Sequence, residues 1–303
     1  PVALALKGLG VEENKIPAIL FILAGLAAAA PPVNIWAMIL CAGTAIPYVG
    51  FELPLGIPVL LLGTATILIL GRQKGKKTEL NEFLSKIEIV PGMNWWRLLL
   101  PFVVFFGLVI AYRLWPFSFP ILGLPLEFII ASLAAYLISP VKINLIKVAS
   151  STVSKLLPLL SIMVIVGMLQ QIMAASGVKG LISYSVLIIP IGLLFCLLPI
   201  IIPFSEGILT YGGAAIIGIP LVWYLNSLGY HATIIIAALS LLWPLGDGLP
   251  PTALIGRLSL IVSDYEGSYW SSIKKAWLPW LMITVVAILM VIFSSRLSFL
   301  VIG

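Results

Sequence analysis

The stretch Gly246–Pro251 reads GDGLPP and interrupts an apolar run that extends from Thr233 to Asp264. Proline has no amide hydrogen and clashes with the preceding helical turn, so two adjacent prolines open a helix. A second apolar run, Ile16–Ile46, is interrupted in the same way at Pro31-Pro32. We therefore predict two broken helices, whose freed backbone groups are available to a ligand.

The composition indicates an integral membrane protein. Of the 303 residues only 9% are charged and 61% are hydrophobic, whereas about a quarter of the residues in a water-soluble domain are charged. The formal charge of +6 does not indicate nucleic-acid binding, because basic residues cluster directly after apolar runs, as in cytoplasmic loops. These residues are Arg72, Lys74, Lys76, Lys77, Lys142, Lys147 and Lys155. We expect the lipid bilayer as a partner, no nucleic acid, and a multi-pass location in a prokaryotic inner membrane.

The apolar runs divide the chain into four predicted segments. Residues 1–70 form the end of a first repeat, and residues 71–94 form a cytoplasmic linker with an amphipathic helix over Thr78–Ile89. Residues 95–180 supply scaffold spans and a surface helix, Ile143–Lys155, which is too polar to cross a bilayer. Residues 181–303 supply a hairpin, a broken helix and a last span. Uninterrupted spans are predicted at Ile57–Leu70, Trp95–Leu114, Ile121–Ile138, Leu156–Ala175 and Trp277–Phe293.

An internal repeat relates the two ends of the chain. At an offset of 219 positions, Pro1–Pro32 aligns with Pro220–Pro251 without a gap, and the prolines of both breaks match. When the lysine-rich loops are placed in the cytoplasm, the two broken helices run in opposite directions. We therefore predict an all-α membrane protein with an inverted-topology repeat, a feature of secondary transporters. By the same comparison, about 125 residues of the first repeat are missing ahead of Pro1, and belong to the same protein or to a partner polypeptide.

Oxygen-bearing side chains adjoin both breaks. Asp247 is an acid inside the second break, where an isolated charge in a bilayer is costly. Gly248 allows a neighbouring carbonyl to turn toward the same point, and Thr252 and Asn34 follow the two proline pairs. We interpret Asp247 as a cation ligand, with Na⁺ as the metal, or as a proton carrier. The alternative is a helix cap at a water-filled edge.

The apolar runs Leu181–Pro203 and Gly207–Asn226 predict a re-entrant hairpin that opens to the outside. Its tip is expected at Phe204–Gly207, buried near the middle of the membrane, with glycines that permit close backbone approach. The substrate- or ion-binding residues predicted there are Ser205, Glu206, Thr210 and Gly212. If both runs are full spans instead, Glu206 is a cytoplasmic loop residue.

The remaining reactive side chains have simpler interpretations. Arg257 is expected to snorkel to the inner interface rather than to neutralise a substrate, and His231 to lie in a surface loop. Cys41 and Cys196 lie in apolar runs without metal-ligand spacing, which is typical of packing residues. Zinc, phosphate-loop and serine-elbow motifs are absent from the sequence, so we predict no enzyme and no cofactor other than Na⁺ or H⁺ as coupling ion.

Three motifs resemble the ion transporter superfamily, which includes divalent anion/sodium symporters, gluconate and C4-dicarboxylate carriers, and the large membrane subunit of TRAP transporters. The motifs are Ser176-Gly177-Val178 after a span, the hairpin-like Ser205–Pro220, and Gly246–Ala253. The resemblance implies an elevator-type transporter with residues 95–178 as scaffold. Residues 1–70 and 181–293 would then form the moving transport domain. The Ser-Asn-Thr tip motif of those symporters is replaced here by Ser205-Glu206-Gly207.

The leading functional hypothesis is secondary active transport of a small organic anion, a carboxylate, coupled to Na⁺ or H⁺. One alternative is a cation/proton antiporter in which Asp247 and Glu206 exchange protons for a metal ion. Another is a non-transporting membrane subunit of a larger complex. We expect a homo-oligomer, or a partner subunit that supplies the missing first-repeat segment.

Overall fold

The computed structural model describes residues 2–72, 92–115, 118, 120 and 122–301. Helices account for 78% of the structure, and none of the described residues forms a strand. Within these described ranges, three helical segments are long and apolar enough to cross a membrane: Glu52–Leu70, Ile191–Leu209 and Tyr269–Ile292. A fourth is added if the segments on either side of Pro158 form one span. The predicted all-α class is confirmed, and the apolar helices suggest a membrane protein.

The helices are labelled in chain order. The first group comprises α1 (Val2–Gly8), α2 (Ile16–Ala29), α3 (Ile35–Thr44) and α4 (Glu52–Leu70). The second comprises α5 (Trp95–Leu114), α6 (Leu124–Ile138) and α7 (Leu145–Ala175). The third comprises α8 (Val178–Leu187), α9 (Ile191–Leu209), α10 (Ile219–Ser227), α11 (Ala232–Gly246), α12 (Leu254–Ser263), α13 (Tyr269–Ile273) and α14 (Trp277–Ile292).

Two compact units make up the chain. The larger comprises Pro1–Leu80 and Leu159–Gly303, and the smaller comprises Asn81–Pro158. In the larger unit α11 is buried along its whole length, packed among α2, α9 and α14, and Trp36 and Trp243 are the largest fully buried side chains. In the smaller unit α5 packs against α6. The candidate site described below lies within the larger unit.

Both apolar runs that contain a double proline are broken helices, as their sequences predict. The chain leaves the helical conformation between α2 and α3 and again between α11 and α12, and both Pro-Pro peptide bonds are cis. The bounds of α3 and α12 differ by the same 219 positions that relate the two ends of the sequence. The residue after each helix, Ala45 or Asp264, has a left-handed backbone. The two breaks therefore have a common local backbone plan.

From Leu145 onward, the polar stretch Ile143–Lys155 and the span Leu156–Ala175 both belong to α7. This helix consists of two segments, Leu145–Pro158 and Leu160–Ala175, which meet at a break, so the predicted division lies within a few residues of the observed one. Hydroxyl side chains in the polar stretch bond back to their own helix, as Thr152 Oγ1 does to the Val148 carbonyl at 2.9 Å, so they do not interrupt it. The predicted surface helix Thr78–Ile89 lies outside the described residues, as does most of the predicted linker.

The predicted hairpin tip is also displaced. Phe204–Gly207 are still helical and belong to the end of α9, which contains Pro199 and Pro203. The chain turns three residues after Gly207, where Thr210 has a φ of 51°. It continues through one π-helical turn, Ala214–Gly218, into α10. The backbone turn, and not the two prolines, therefore ends the helix.

Candidate functional site

The end of α9 lies against both broken helices. Glu206, in the last turn of α9, is fully buried, and its Oε1 accepts a hydrogen bond from Trp36 Nε1 at 3.1 Å. Trp36 lies in the first turn of α3, directly after the first break. On the other side, the Thr252 hydroxyl, from the second break, donates to the Gly207 carbonyl at 2.8 Å. Helix α9 therefore joins the two breaks at one buried place.

Glycine permits the close approach of α9 to the second break. A Cβ atom at Gly246 would overlap the carbonyl oxygen of Pro203 and lie 2.5 Å from Glu206 Cβ. A Cβ atom at Gly207 would lie 2.9 Å from Leu249 Cβ. Carbon atoms pack at about 3.5–4.0 Å, so a larger residue at either position would push the two segments apart. The glycines bring an acid on α9 next to an acid in the break.

That second acid is Asp247, which follows α11 directly and is only 2% exposed. Asp247 and Glu206 interact electrostatically, and we call them the acid pair. Among the described residues, none forms a hydrogen bond with Glu206 Oε2 or donates one to the Asp247 carboxylate. No lysine or arginine is among the buried side chains that the structure describes. The acid pair is therefore a buried acidic site without a basic side chain to neutralise it.

Two tyrosines complete the surroundings of the acid pair. The Tyr211 ring lies 5.6 Å from the Trp36 ring, between centroids, and Tyr211 interacts electrostatically with both acids. The Tyr269 hydroxyl donates to the Gly248 carbonyl at 2.6 Å and so fixes the backbone of the second break. Sequence reasoning missed Trp36 and both tyrosines. The available signal was their amphipathic nature, since buried Tyr and Trp usually direct their polar atom at a partner.

The other predicted hairpin residues surround the turn after α9. Ser205 and Thr210 are each 5% exposed, and each hydroxyl donates to a carbonyl of α9 at 2.7 Å. Gly212 faces the side chain of Gln170, to which a Cβ atom would come within 2.5 Å. Gln170 Nε2 donates to the Leu209 carbonyl at 2.7 Å, a contact that the sequence did not predict. These residues hold the turn, while Glu206 is the one whose side chain keeps a free oxygen.

Asn34 occupies the first break as a helix cap. Its Oδ1 accepts from the Ala37 amide at 2.8 Å, and its Nδ2 donates to the Ala29 carbonyl at 2.6 Å. Asn34 is fully buried, so both bonds are shielded from solvent. Trp36, rather than Asn34, connects the first break to Glu206. The role of Asn34 as an ion or substrate ligand stays a prediction.

Two further polar atoms lie on the helix that leads to Asp247. Ser240 Oγ and Trp243 Nε1 are buried, and no described residue bonds to them. Both residues belong to α11, and their spacing of three and four residues places them on the same helix face as Asp247. Buried polar atoms usually have a partner. On this face, the Ser240 hydroxyl and the Trp243 indole N–H are therefore available to bond to a bound molecule or to water.

Arg257 lies at the edge of this site, where it interacts electrostatically with Tyr269, and His231 lies outside it. Arg257 is exposed, and its Nη2 donates to the Pro251 carbonyl at 3.0 Å, so it supports the outer side of the second break. His231, predicted at the surface, is half-buried instead, because it precedes α11 and packs near Ser294, whose Oγ accepts from its amide at 3.2 Å. Cys41 is buried and Cys196 is exposed.

Comparison with known proteins gives no family assignment. No protein-family model, curated protein or solved structure matches the chain. Within the described part of the chain, no three His, Cys, Asp or Glu side chains are grouped as a metal site. The interpretation of the acid pair therefore depends on its geometry and on elementary electrostatics.

Proposed function

We propose that this chain is a secondary active transporter that moves a small organic anion, a carboxylate, together with Na⁺ or H⁺. The observation that carries the proposal is the buried acid pair at the junction of α9 with two broken helices. Secondary transporters build their substrate and ion sites from broken helices near the middle of the bilayer. The proposal agrees with the resemblance of the sequence to the ion transporter superfamily. We propose a prokaryotic inner membrane as the location of the protein.

Two neighbouring carboxylates in a membrane interior require a compensating positive charge. Water cannot solvate them there, and like charges repel strongly at low dielectric constant. None of the buried side chains that the structure describes is basic. A bound Na⁺ or a proton would supply the missing charge, with Glu206 Oε2 and the Asp247 carboxylate as its oxygen ligands. Binding of the coupling ion is therefore the first step that the site supports.

The organic anion would bind after the coupling ion, because an acidic site repels a carboxylate until the acid pair is neutralised. Two donors support such a second step. Trp243 Nε1 is buried without a described partner, and α12 begins directly after the second break, so its first amides are directed toward the break. The obligatory order of binding would couple the anion to the ion gradient.

Contacts between α2 and α11 support an inverted arrangement of the two halves. Gly25 lies against Pro244, which is its own equivalent at the offset of 219 positions. Phe21, four residues before Gly25, contacts Gly248, which is four residues after Pro244. Contacts that move backward along one helix and forward along the other belong to antiparallel helices. A two-fold axis through the Gly25–Pro244 contact would produce this register.

Two other features support the same symmetry. Helix α2 packs against α12 and against α4, and in the second half α11 packs against α3 and against α14, so the partners are exchanged as a two-fold axis requires. The Ser272 hydroxyl donates to the Asn14 carbonyl at 2.7 Å, so α2 begins near α13, the short helix that follows the end of α12. Lys274 and Lys275 follow in the single 3₁₀ turn between α13 and α14. Under the positive-inside rule, α2 then starts at the cytoplasmic side, where α12 ends.

The resemblance also implies an elevator mechanism, in which the unit that carries the substrate moves through the membrane. The acid pair, both breaks and α9 all belong to the larger unit. A site held within one compact unit can be carried as a rigid body without being taken apart. We therefore propose the larger unit as the moving part.

A second candidate function is cation/proton antiport. It is favoured by one observation, the presence of two buried acids without a buried base among the described side chains. Such a site binds either one metal ion or protons, and an exchanger alternates between these two states. In this case no organic anion is needed, and Trp243 Nε1 would face water.

Uptake by proteoliposomes tests both functions. Labelled mono- and dicarboxylates are supplied under imposed Na⁺ or proton gradients, and internal pH is followed with a trapped dye. The variants are Glu206→Gln and Asp247→Asn, which remove a charge at nearly constant volume. Glu127→Gln is the matched control, since Glu127 is also buried but belongs to the smaller unit.

We expect wild type and Glu127→Gln to accumulate a carboxylate only under a gradient. Glu206→Gln and Asp247→Asn should lose gradient-driven uptake by about ten- to a hundred-fold, the factor that one bond to a charged group supplies. Their thermal unfolding should stay unchanged. Equal gradient-driven uptake by wild type and Asp247→Asn would contradict the proposal and leave Asp247 as a cap. Cation-dependent pH change without carboxylate uptake would favour the antiporter, and no flux of any kind would favour a non-transporting subunit.

A further inference from the structure

A groove of about 420 Å³ opens beside the start of α14, and its lining includes Leu249 of the second break but neither member of the acid pair. Its walls are almost entirely apolar and include the indole rings of Trp270, Trp277 and Trp280. Trp270 and Trp277 are 46% and 65% exposed. Three tryptophans around one groove form a surface with large apolar faces and polar edges. Such side chains are enriched where a protein meets the headgroup level of a membrane.

One positive charge lies at this groove. Lys274 lines it, whereas the adjacent Lys275 does not. Lys274 forms no ion pair with any described residue, since the two ion pairs seen there involve Lys7 and Lys15. An unpaired ammonium group beside an apolar channel is complementary to a molecule with an anionic head and an apolar tail.

The deeper part of the groove contains an unused hydroxyl. Thr284 Oγ1 is buried without a partner in the described structure, and Thr284 lines the groove. Helical threonines usually bond back to the carbonyl four residues earlier, and several in this chain do so: Thr44, Thr64, Thr66 and Thr152. Thr284 lies seven residues beyond Trp277, about 10 Å further along the helix axis. Thr284 is also ten residues beyond Lys274, about 15 Å along the helix axis, so its hydroxyl lies at the depth of acyl chains when a headgroup is at Lys274.

We propose that this groove binds an anionic phospholipid of the surrounding bilayer, with the headgroup phosphate at Lys274 and the acyl chains along the tryptophans. Basic residues at the cytoplasmic ends of membrane helices attract anionic lipid headgroups, and Lys274 lies near the start of the helical segment Tyr269–Ile292, the end that the positive-inside rule assigns to that side. A zwitterionic lipid presents its own cation to Lys274 and fits less well.

Quenching of tryptophan fluorescence by brominated lipid tests the proposal on the intact protein. The protein is reconstituted in phosphatidylcholine vesicles that contain a small, equal mole fraction of either phosphatidylglycerol or phosphatidylcholine with brominated chains. The groove carries its own reporters, and the other tryptophans provide the same background in both lipids. Lys274→Gln is compared with Lys275→Gln, a substitution of the neighbouring exposed lysine that does not line the groove.

We expect brominated phosphatidylglycerol to quench more strongly than brominated phosphatidylcholine. Lys274→Gln should lower this preference roughly fivefold, the factor that one lysine near an anionic surface supplies, and Lys275→Gln should leave it unchanged. Trp277→Phe should remove part of the phosphatidylglycerol-specific quenching, because it removes a reporter from the groove.

Three results would overturn the assignment. Equal quenching by both lipids means that the groove has no headgroup preference. Equal losses in Lys274→Gln and Lys275→Gln mean that only the general surface charge acts. Relief of the quenching by micromolar decanoate, a soluble anionic amphiphile, means that the groove takes a soluble ligand instead of a bilayer lipid.

Discussion

The two proline breaks have the same backbone plan but are held together by different contacts. In the first break, the Tyr48 hydroxyl accepts from the Asn34 amide at 3.2 Å and donates to the Pro32 carbonyl at 3.1 Å. The Asn34 side chain closes the gap between the end of α2 and the start of α3. The freed backbone groups at these positions are bonded within the first break and the loop that follows α3.

The second break depends on other elements. Its Thr252 hydroxyl and amide both bond to the Gly207 carbonyl of α9, and its Gly248 carbonyl accepts from Tyr269. No side chain caps α12, because Ala253 stands where the first break has Asn34. The Asp247 backbone carbonyl accepts from the Gly256 amide at 3.1 Å instead. Asp247 has Ala28 as its equivalent in the first break. The two breaks therefore share a backbone conformation, but only the second contains an acidic side chain. Comparing equivalent positions in the two breaks can separate residues that maintain the backbone from residues that bind a ligand.

The largest difference between the two breaks is expected in the free energy of unfolding, when one methyl group is added or removed at equivalent positions. Gly246 and its equivalent, Ala27, are compared by the substitutions Gly246→Ala and Ala27→Gly. The added methyl group at Gly246 meets Pro203 and Glu206 and should lower the free energy of unfolding by about 3 kcal/mol, the upper range for overpacking. Thermal unfolding in detergent measures this change, and gradient-driven uptake should be lost as well.

Ala27 is exposed, so Ala27→Gly should cost only the helix propensity of about 1 kcal/mol. It should leave uptake intact. Unchanged melting of Gly246→Ala would show that α9 is not packed closely against the second break, and the asymmetry would then lose its physical basis.

The next effect concerns the cap of the first break. Asn34→Ala removes two buried hydrogen bonds, to Ala37 and Ala29, and should lower the free energy of unfolding by about 2 kcal/mol. Asn34→Ser keeps one oxygen and should lose about half as much. If Asn34 is only a cap, both variants still transport below their melting temperature. Loss of gradient-driven uptake in a folded Asn34→Ala protein would make Asn34 a ligand, as its position after the prolines predicts.

The sequence predicts the breaks better than it predicts the contacts between them. Double prolines and a matching offset are local signals, and they locate both breaks correctly. The acids Glu206 and Asp247 were also found from sequence, because a charge in an apolar run is conspicuous. Trp36 was missed, since nothing in the local pattern shows that residue 36 reaches residue 206. The hairpin turn was placed three residues early, at Gly207 instead of Thr210, because prolines inside α9 resemble a helix end.

The smallest expected effect exchanges the hydroxyl that distinguishes the two breaks. Thr252→Val gives the second break the residue that the first break has at Val33. The Gly207 carbonyl loses the hydroxyl at 2.8 Å but keeps the Thr252 amide at 3.2 Å. It is therefore not left unpaired, and the free energy of unfolding should fall by only about 1 kcal/mol.

Transport is the more informative measurement for this variant. The Thr252 hydroxyl donates to Gly207 and has lone pairs left for a cation beside the acid pair. If it is an ion ligand, Thr252→Val raises the ion concentration for half-maximal uptake about tenfold, more than the lost stability explains, whereas Thr252→Ser restores it. The reverse substitution, Val33→Thr, adds a hydroxyl to the break without an acid and should leave the ion dependence unchanged. Equal ion dependence in wild type and Thr252→Val would restrict the ion site to Glu206 and Asp247, because the hydroxyl would then only hold α9 against the second break.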